Sequence, residues 1–312
     1  MNHLPASKNL ILGCAFNYAN QDILPFLNSL QACGYSDELI LLTNNQSKIN
    51  LEGYSYKGST INVDKDFKYS RSVLAQRTTK DQGDIEVQNQ RIMNRTLARL
   101  QQEKSLSKPI VAFFYNTYFL MTSRYFLYYY YLLQTDYTHV FLTDVNDVIF
   151  QSNPFEKEYE NGVTAFAEQD GISIAQEVTN RFWILETFGE AVLQNMANEV
   201  VYCAGTILLK NSVKQFLKDF LSIVINQHIS TTIQGIDQGV FNYMLSYLRL
   251  NYFHCKKNGD IVLTVANVPE PLVTITAKGM SLNGRNDLPA VVHQYTRFEQ
   301  QRKYAVEKYQ KL

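Results

Sequence analysis

Three oxygen-bearing side chains, Asp144, Asn146 and Asp147, fall directly after the apolar run Thr138-His-Val-Phe-Leu-Thr143. That spacing suits a hard divalent cation, magnesium or manganese, that keeps part of its shell for phosphate oxygens and water. Such an ion can bridge a diphosphate and neutralise the charge it develops as a leaving group. The same residues also read as local turn chemistry, because Asp and Asn bond their own backbone at turns and helix starts, and Ser152-Asn-Pro-Phe continues in that vein. A calcium loop of the EF-hand type starting at Asp144 is excluded, since it needs glycine and glutamate where Ile149 and Phe155 stand. An aspartyl-phosphate phosphatase using Asp144 as nucleophile lacks its partner acid, because Asn146 holds that place and the motif lies mid-chain. Glu168 and Asp170, after the apolar residues Phe166-Ala167, can face the same cleft. His3, His139, His228 and His254 have no metal-like spacing and read as structural or surface residues.

The elements that must position these groups alternate. Leu10-Ile-Leu-Gly-Cys-Ala15 is a short apolar run, Asp22 to Ala32 carries Ile23, Leu24, Phe26, Leu27 and Leu30 at helical spacing, and Glu38-Leu-Ile-Leu-Leu-Thr43 follows. This βαβ opening predicts a doubly wound α/β fold with a mainly parallel sheet. Open sheets of that kind bind ligands at the carboxyl ends of their strands, which is where the acidic turn falls. Asn45 to Gly83 is polar and loop-rich, a segment suited to overlie a cleft. A polar helix is expected over Asp84 to Lys104, a strand over Ile110 to Phe114 after Pro109, and a helix over Tyr118 to Gln134. Further strands are expected over Gly162 to Ala167 and Val200 to Leu209. Helices are expected over Val213 to Gln227, Asp237 to Leu248 and Arg297 to Leu312. No repeat or linker divides the chain, so it reads as one domain over 1–312.

Composition narrows the classes. With 312 residues, 46% of them apolar, the chain can bury a large core. Lysine plus arginine (29) equals aspartate plus glutamate (29), so no overall field draws in nucleic acid or an anionic membrane. The 21 tyrosines fit either a polar, ring-shaped ligand or an ordinary aromatic core. Cys14, Cys33, Cys203 and Cys255 are scattered in mostly apolar surroundings and read as buried reduced thiols, which points to the cytoplasm. No signal-peptide pattern opens the chain. The stretch Ile110 to Leu133 is rejected as a membrane span, since Arg124 at a helix centre would cost about 2.5 to 3.5 kcal/mol. Asn45-Gln-Ser and Asn94-Arg-Thr match the glycosylation triplet and are discounted as chance.

Several segments taken in order resemble nucleotide-diphospho-sugar transferases of the GT-A fold, with motifs like those of glycosyltransferase family 8. They are Ile11-Leu-Gly-Cys-Ala-Phe-Asn-Tyr18, Pro25-Phe-Leu-Asn-Ser-Leu30, Arg124-Tyr-Phe-Leu127, Leu142-Thr-Asp-Val-Asn-Asp-Val-Ile-Phe-Gln-Ser-Asn-Pro-Phe155, Cys203-Ala-Gly-Thr206, Asp237-Gln-Gly-Val-Phe-Asn242 and Val292-His-Gln-Tyr-Thr-Arg297. The resemblance spans Leu10 to about Arg297. It implies a GT-A, Rossmann-like, mixed and mainly parallel central sheet with helices on both faces. The nucleotide-binding half would be 1–150 and the sugar and acceptor half 151–312. It places a DxD-like metal motif on Asp144, Asn146 and Asp147, with Asn146 standing where a strict motif has its last acid. Metal ligation is therefore expected from Asp144 and Asp147, joined by His293, while Arg124, Asp144, Asn146 and Gly205 would contact the nucleotide-sugar. Gly205 would let backbone approach the ligand, and Arg124 would meet a phosphate through its planar fork or pair with a carboxylate at the surface. Asp237 and Gln238 resemble an Asp-Gln pair beside the reacting sugar. For His293 the alternative is a buried, hydrogen-bonded ring, and for Asp237 a favourable charge in a first helical turn.

The resulting expectation is a soluble, metal-dependent glycosyltransferase that moves a sugar from a nucleoside-diphosphate sugar to the hydroxyl of a glycan, lipid, protein or small molecule. An inverting mechanism would use Glu168 or Asp170 as general base and a retaining one would not. Two rivals use the same residues: a nucleotidyltransferase or phosphatase acting on a phosphate ester, and a sugar- or nucleotide-binding protein on the same scaffold with weak catalysis.

Overall fold

The computed structural model describes residues 8–67, 82–231, 233–285 and 287–310. The first strand, β1 (Asn9–Cys14), buries successive residues on opposite faces. Leu10 and Leu12 enter one core and Ile11 the other, as happens when both faces of a sheet are covered. Helix α1 (Leu24–Ala32) carries Phe26, Leu27 and Leu30 onto the second core, and the chain returns as β2 (Glu38–Thr43), parallel to β1. β3 (Lys57–Asn62) extends the sheet beyond β2. It lies in the segment expected to be loop-rich, and its residues Lys57 to Thr60 are exposed. An edge strand is held by backbone pairing and is kept polar against further pairing, so it carries no apolar alternation to read.

After the short α2 (Val63–Asp66) come α3 (Gln82–Gln101), α4 (Lys108–Thr117) and α5 (Leu120–Leu132). The expected strand at Ile110 to Phe114 is therefore corrected to helix. Pro109 sits in the first turn, where its missing N–H costs nothing, and Ile110, Val111 and Phe114 share the buried face. Phe114 stacks on Phe126 of α5 at 3.8 Å, so packing overrides the β-branched propensity.

The sheet then grows on the other side of β1. β4 (His139–Thr143) pairs parallel with β1. The short β5 (Val148–Phe150) leaves the main sheet, and β6 (Gly162–Ala167) returns to it. Helices α6 (Val178–Phe188) and α7 (Glu190–Met196) precede β7 (Tyr202–Lys210), which runs antiparallel between β4 and β6. Helix α8 (Val213–Asn226) packs on α5, with Phe220 stacked on Tyr125 at 3.9 Å. Helix α9 (Ile236–Asn242) continues into one π-helical turn, Tyr243–Tyr247, before β8 (Phe253–Lys256) closes the sheet. The order is β3-β2-β1-β4-β7-β6-β8, all parallel except β7. Strand order reverses between β1 and β4. That is the mixed, mainly parallel sheet expected, with helices packed on both faces.

A small second sheet sits beside the reversal. β9 (Val262–Thr264) is followed by the hairpin β10 (Val273–Ile275) and β11 (Met280–Leu282), and then by β12 (Val291–His293). β12 pairs with β5 and β9, setting His293 opposite Val148, one residue beyond Asp147. The last described helix is α10 (Glu299–Tyr309), which packs on α1. Cys203 is buried and Cys14 and Cys33 are half-buried, but Cys255 is exposed, because β8 is an edge strand. Among the described residues, no helix is long and apolar enough to cross a membrane. His3 and the stretch 68–81 lie outside them.

Candidate functional site

Where β4 ends, the Asp144 N–H still donates to the Gly205 carbonyl of β7 at 2.8 Å, so the turn begins from a fixed point. Val145 then faces inward and is buried, which turns Asn146 out to solvent. The far side of the turn is clamped by the strand that carries His293. The Asp147 carbonyl accepts the Gln294 N–H at 2.7 Å, and the Asn146 carbonyl accepts the Tyr295 hydroxyl at 3.2 Å. Asp144 and Asp147 thereby point to one side together.

His293 meets them there. One ligand atom from each of Asp144, Asp147 and His293 lies within 4.8 Å of the others. His293 Nε2 stands 3.5 Å from Asp144 Oδ2 and 3.8 Å from Asp147 Oδ1. Both Nε2 and Asp147 Oδ1 are buried without a hydrogen-bond partner. Buried polar atoms of that kind demand an account, and a cation would satisfy both. Gly205 makes the convergence possible: a Cβ there would lie 2.6 Å from Asp144 Oδ2 and 2.6 Å from His293 Cε1. The space that its missing side chain leaves is taken by these two residues. Asn146, between the two acids, is exposed.

Arg124 of α5 is buried, and its fork is spent inside the protein. One Nη donates to Asp144 Oδ1 at 2.7 Å. The other donates to Asp237 Oδ2 at 3.0 Å and to the Ala204 carbonyl at 3.2 Å. It thus joins the acidic turn to α9. That helix starts at Gly235, whose left-handed φ of +79° and absent Cβ admit the Trp183 ring. Gln238 is fixed on three sides: its Oε1 accepts the Ala204 N–H at 3.2 Å, and its Nε2 donates to Glu168 at 3.0 Å and to Asn180 at 3.2 Å. Asn242 holds the helix to β7 by accepting from the Tyr202 N–H at 2.9 Å and donating to the Tyr202 carbonyl at 2.8 Å. Glu168 is buried, and Asn267 donates to its second oxygen at 2.9 Å. Asp170, in contrast, is exposed. The amides Asn180 and Asn267 carry no motif that would single them out in the sequence.

Electrostatics separates the acids. Burial works against the Asp144 charge, but Arg124 and His293 outweigh it and hold the carboxyl down at about 2. Asp147 has no such cation bonded to it, and burial together with the Asp144 charge pushes it up. Burial also raises Asp237 to about 6 against the pull of Arg124. Burial alone would lower His293, yet the Cys203 sulfur and the two aspartates raise it well above the usual imidazole range. Tyr18 faces the same acids, which add to burial in raising its hydroxyl.

Beyond the carboxyl ends of β1 and β2 opens a cleft of about 660 Å³, walled by Phe16, Asn17, Asn44, Tyr115, Asn116 and Ser123. Ser123 is the neighbour of Arg124, so α5 both lines the cleft and carries the cation that bonds Asp144. Asn45, Gln46 and Asp64 also line it, so part of the segment expected to overlie a cleft does so.

No protein-family model matches the chain, and no curated protein matches it. Solved structures do match. One is galactosyltransferase LgtC in complex with donor and acceptor sugar analogues, at 14% identity over 97% of both chains with a TM-score of 0.48. Another is an active-site mutant of LgtC, at 15% identity over 91% of this chain and 86% of that one with a TM-score of 0.45.

Proposed function

We propose that this protein is a metal-dependent glycosyltransferase that transfers a sugar from a nucleoside-diphosphate sugar to an acceptor hydroxyl. The observation that carries the reading is the Asp144, Asp147 and His293 triangle. It stands at the carboxyl end of β4, where strand order reverses, beside a polar and aromatic cleft large enough for a nucleoside. Carboxylate oxygens with one imidazole suit manganese or magnesium. The ion, when bound, neutralises charge on the departing diphosphate.

The remaining steps belong to the protein. The half over 1–150 supplies most of the wall of the cleft that takes the nucleoside, and 151–312 supplies α9 and the surfaces for sugar and acceptor. Asp237 and Gln238 are the candidate catalytic residues. A carboxylate beside the reacting carbon favours the positive charge of an oxocarbenium-like centre, and the Gln238 amide, held on three sides, keeps an Oε1 lone pair for a sugar hydroxyl. Arg124 orients both Asp144 and Asp237 and pins their separation. Glu168 has both oxygens engaged, so its role is to anchor Gln238. The phosphatase alternative is disfavoured, because both oxygens of its would-be nucleophile Asp144 face cationic partners.

The test is donor hydrolysis and transfer across a panel of nucleoside-diphosphate sugars, with manganese or magnesium and with chelator. Turnover that needs the metal and falls at least a hundredfold in Asp147→Ala supports the reading. Release of pyrophosphate, or turnover unaffected by Asp147→Ala, would sink it.

A further inference from the structure

Helix α6 meets the rest of the protein along one side. Asn180 accepts from the Gln238 amide at 3.2 Å, the Trp183 ring covers Gly235, and Ile184 is buried. The opposite side carries Val178, Phe182 and Leu185, spaced four and three residues apart and 66%, 47% and 37% exposed. At the C-terminal end of the helix the rings of Phe188, Tyr243 and Tyr247 stack in turn at 3.9 and 5.0 Å, which links α6 to the exposed Tyr247 and Leu248. Of the seven exposed large apolar side chains among the described residues, five thus fall on α6 and at the π-helical turn. Single exposed leucines need no account, but a concentration of this kind marks an interaction surface.

The spacing is that of a coiled-coil seam, with Phe182 at an a position and Val178 and Leu185 at d positions. Arg181 then stands at g, and Glu186, five residues later, at e. Both are exposed, and no ion pair engages either among the described residues. In a parallel pair of helices, a g residue of one copy meets the e residue five positions on in the other. Arg181 therefore faces Glu186 of the second copy, and a two-fold axis makes the pair twice. Antiparallel pairing sets g against g, which brings Arg181 towards its own equivalent and repels. We propose that α6 is the seam of a homodimer, in which two copies pack this helix in parallel with Val178, Phe182 and Leu185 between them and Arg181 paired with Glu186 across the axis. Other occupants suit the stripe less. A helix that lies on a membrane flanks its apolar face with lysine and arginine, whereas here Glu177, Glu186 and Glu190 outnumber Arg181. Small ligands take concave sites, and this stripe stands on the convex outer side of a helix. The 11 residues of α6 rise only about 16 Å, so the contact suits a weak, concentration-dependent dimer.

The experiment is sedimentation velocity on the full chain, from low micromolar to several hundred micromolar. The wild type should pass from one chain per particle to two and no further, because a two-fold contact closes. Phe182→Asp should weaken that association by about tenfold or more, with circular dichroism showing the fold kept. Arg181→Glu and Glu186→Arg should each weaken it roughly three- to tenfold, and the double variant, which swaps the pair, should recover most of the loss. A chain that stays single across the range overturns the inference. So does a dimer that Phe182→Asp or the single charge reversals leave unchanged, or one that the swap fails to restore. Vesicles of neutral phosphatidylcholine are spun down with the protein in parallel. Co-sedimentation that Phe182→Asp abolishes, in a chain that never dimerises, would give the stripe to a lipid surface instead.

Discussion

Replacing Gly205 by alanine adds one methyl group and no charge, yet on the proposed reading it should disable the cation site. The new Cβ would lie 2.6 Å from both Asp144 Oδ2 and His293 Cε1, about 0.8 Å inside ordinary contact. Neither neighbour can yield freely. Asp144 is tied to Arg124 at 2.7 Å, and His293 is buried at the end of β12 between β5 and β9. Overpacking of this kind costs about 1–3 kcal/mol, which corresponds to a melting point lower by roughly 1.5–5 °C in a protein of this size. The sharper effect is on ligand linkage. On the proposed reading, a nucleoside diphosphate at a hundred times its Kd stabilises the wild type by about 2.7 kcal/mol, or roughly 4 °C. The assay is thermal unfolding against a panel of nucleoside diphosphates with Mn²⁺ or with chelator. The variant should remain folded, lose the Mn²⁺-dependent part of the shift, and keep whatever shift the nucleotide gives alone. A Gly205→Ala protein with the full wild-type Mn²⁺-dependent shift would show that this glycine does not hold the triangle open, and the geometric argument would fail.

Three further outcomes follow from the same contacts. Asp144→Ala leaves Arg124 buried with one carboxylate and should cost about 3–5 kcal/mol in urea unfolding, whereas Asp147→Ala breaks no bonded ion pair and should cost under about 1 kcal/mol; equal losses would refute the assignment of roles. Asp237 is raised from 3.8 to about 6, so the native state holds a proton that the unfolded chain has released. Its contribution therefore favours folding fully below pH 3.8 and is lost as pH rises to about 6, an effect of order 3 kcal/mol that Asp237→Asn should flatten in stability measured from pH 4 to 7. Asn242→Ala removes two bonds to the Tyr202 backbone and strands buried groups, so it should destabilise by about 2–4 kcal/mol; a loss below 1 kcal/mol in urea unfolding would mean α9 is held by its apolar contacts instead.

The acidic turn and the strand before it could be read from residue order, because a buried strand ending in oxygen-rich residues is a local pattern. So could β1, α1, β2 and β6, where apolar spacing coincides with burial. His293 could not be reached that way: it meets Asp147 only through the pairing of β12 with β5, and resemblance, not periodicity, pointed to it. The role of Arg124 was hidden for a related reason. In α5 the whole run from Thr122 to Tyr129 is buried, so no polar face marks which way the guanidinium goes. α4 was misread because Val111, Phe113 and Phe114 favour strands in isolation, and only stacking against α5 reverses that preference. The network of Glu168, Gln238, Asn180 and Asn267 draws on four separate segments, and amides in turns and helices give no signal until the chain folds.

Charge explains why these features belong together. Around the triangle the protein buries or half-buries four carboxyl groups, Asp144, Asp147, Asp237 and Glu168, against two cationic groups, Arg124 and His293. Taking an unpaired carboxylate out of water is costly, so an excess of acids must be met by protons or by another cation. The upward shifts of Asp147, Asp237 and Glu168 are the direction that such crowding of buried acids imposes. Asp144 escapes it because it takes most of the available positive charge. A divalent ion is the other solution, and the orphaned Asp147 Oδ1 and His293 Nε2 mark where it would do most good. A cation held there would share Asp144 with Arg124 and so leave the guanidinium freer to serve Asp237. On the proposed reading, filling the cation site and readying the residue beside the sugar are thus one electrostatic event, transmitted through a single buried side chain.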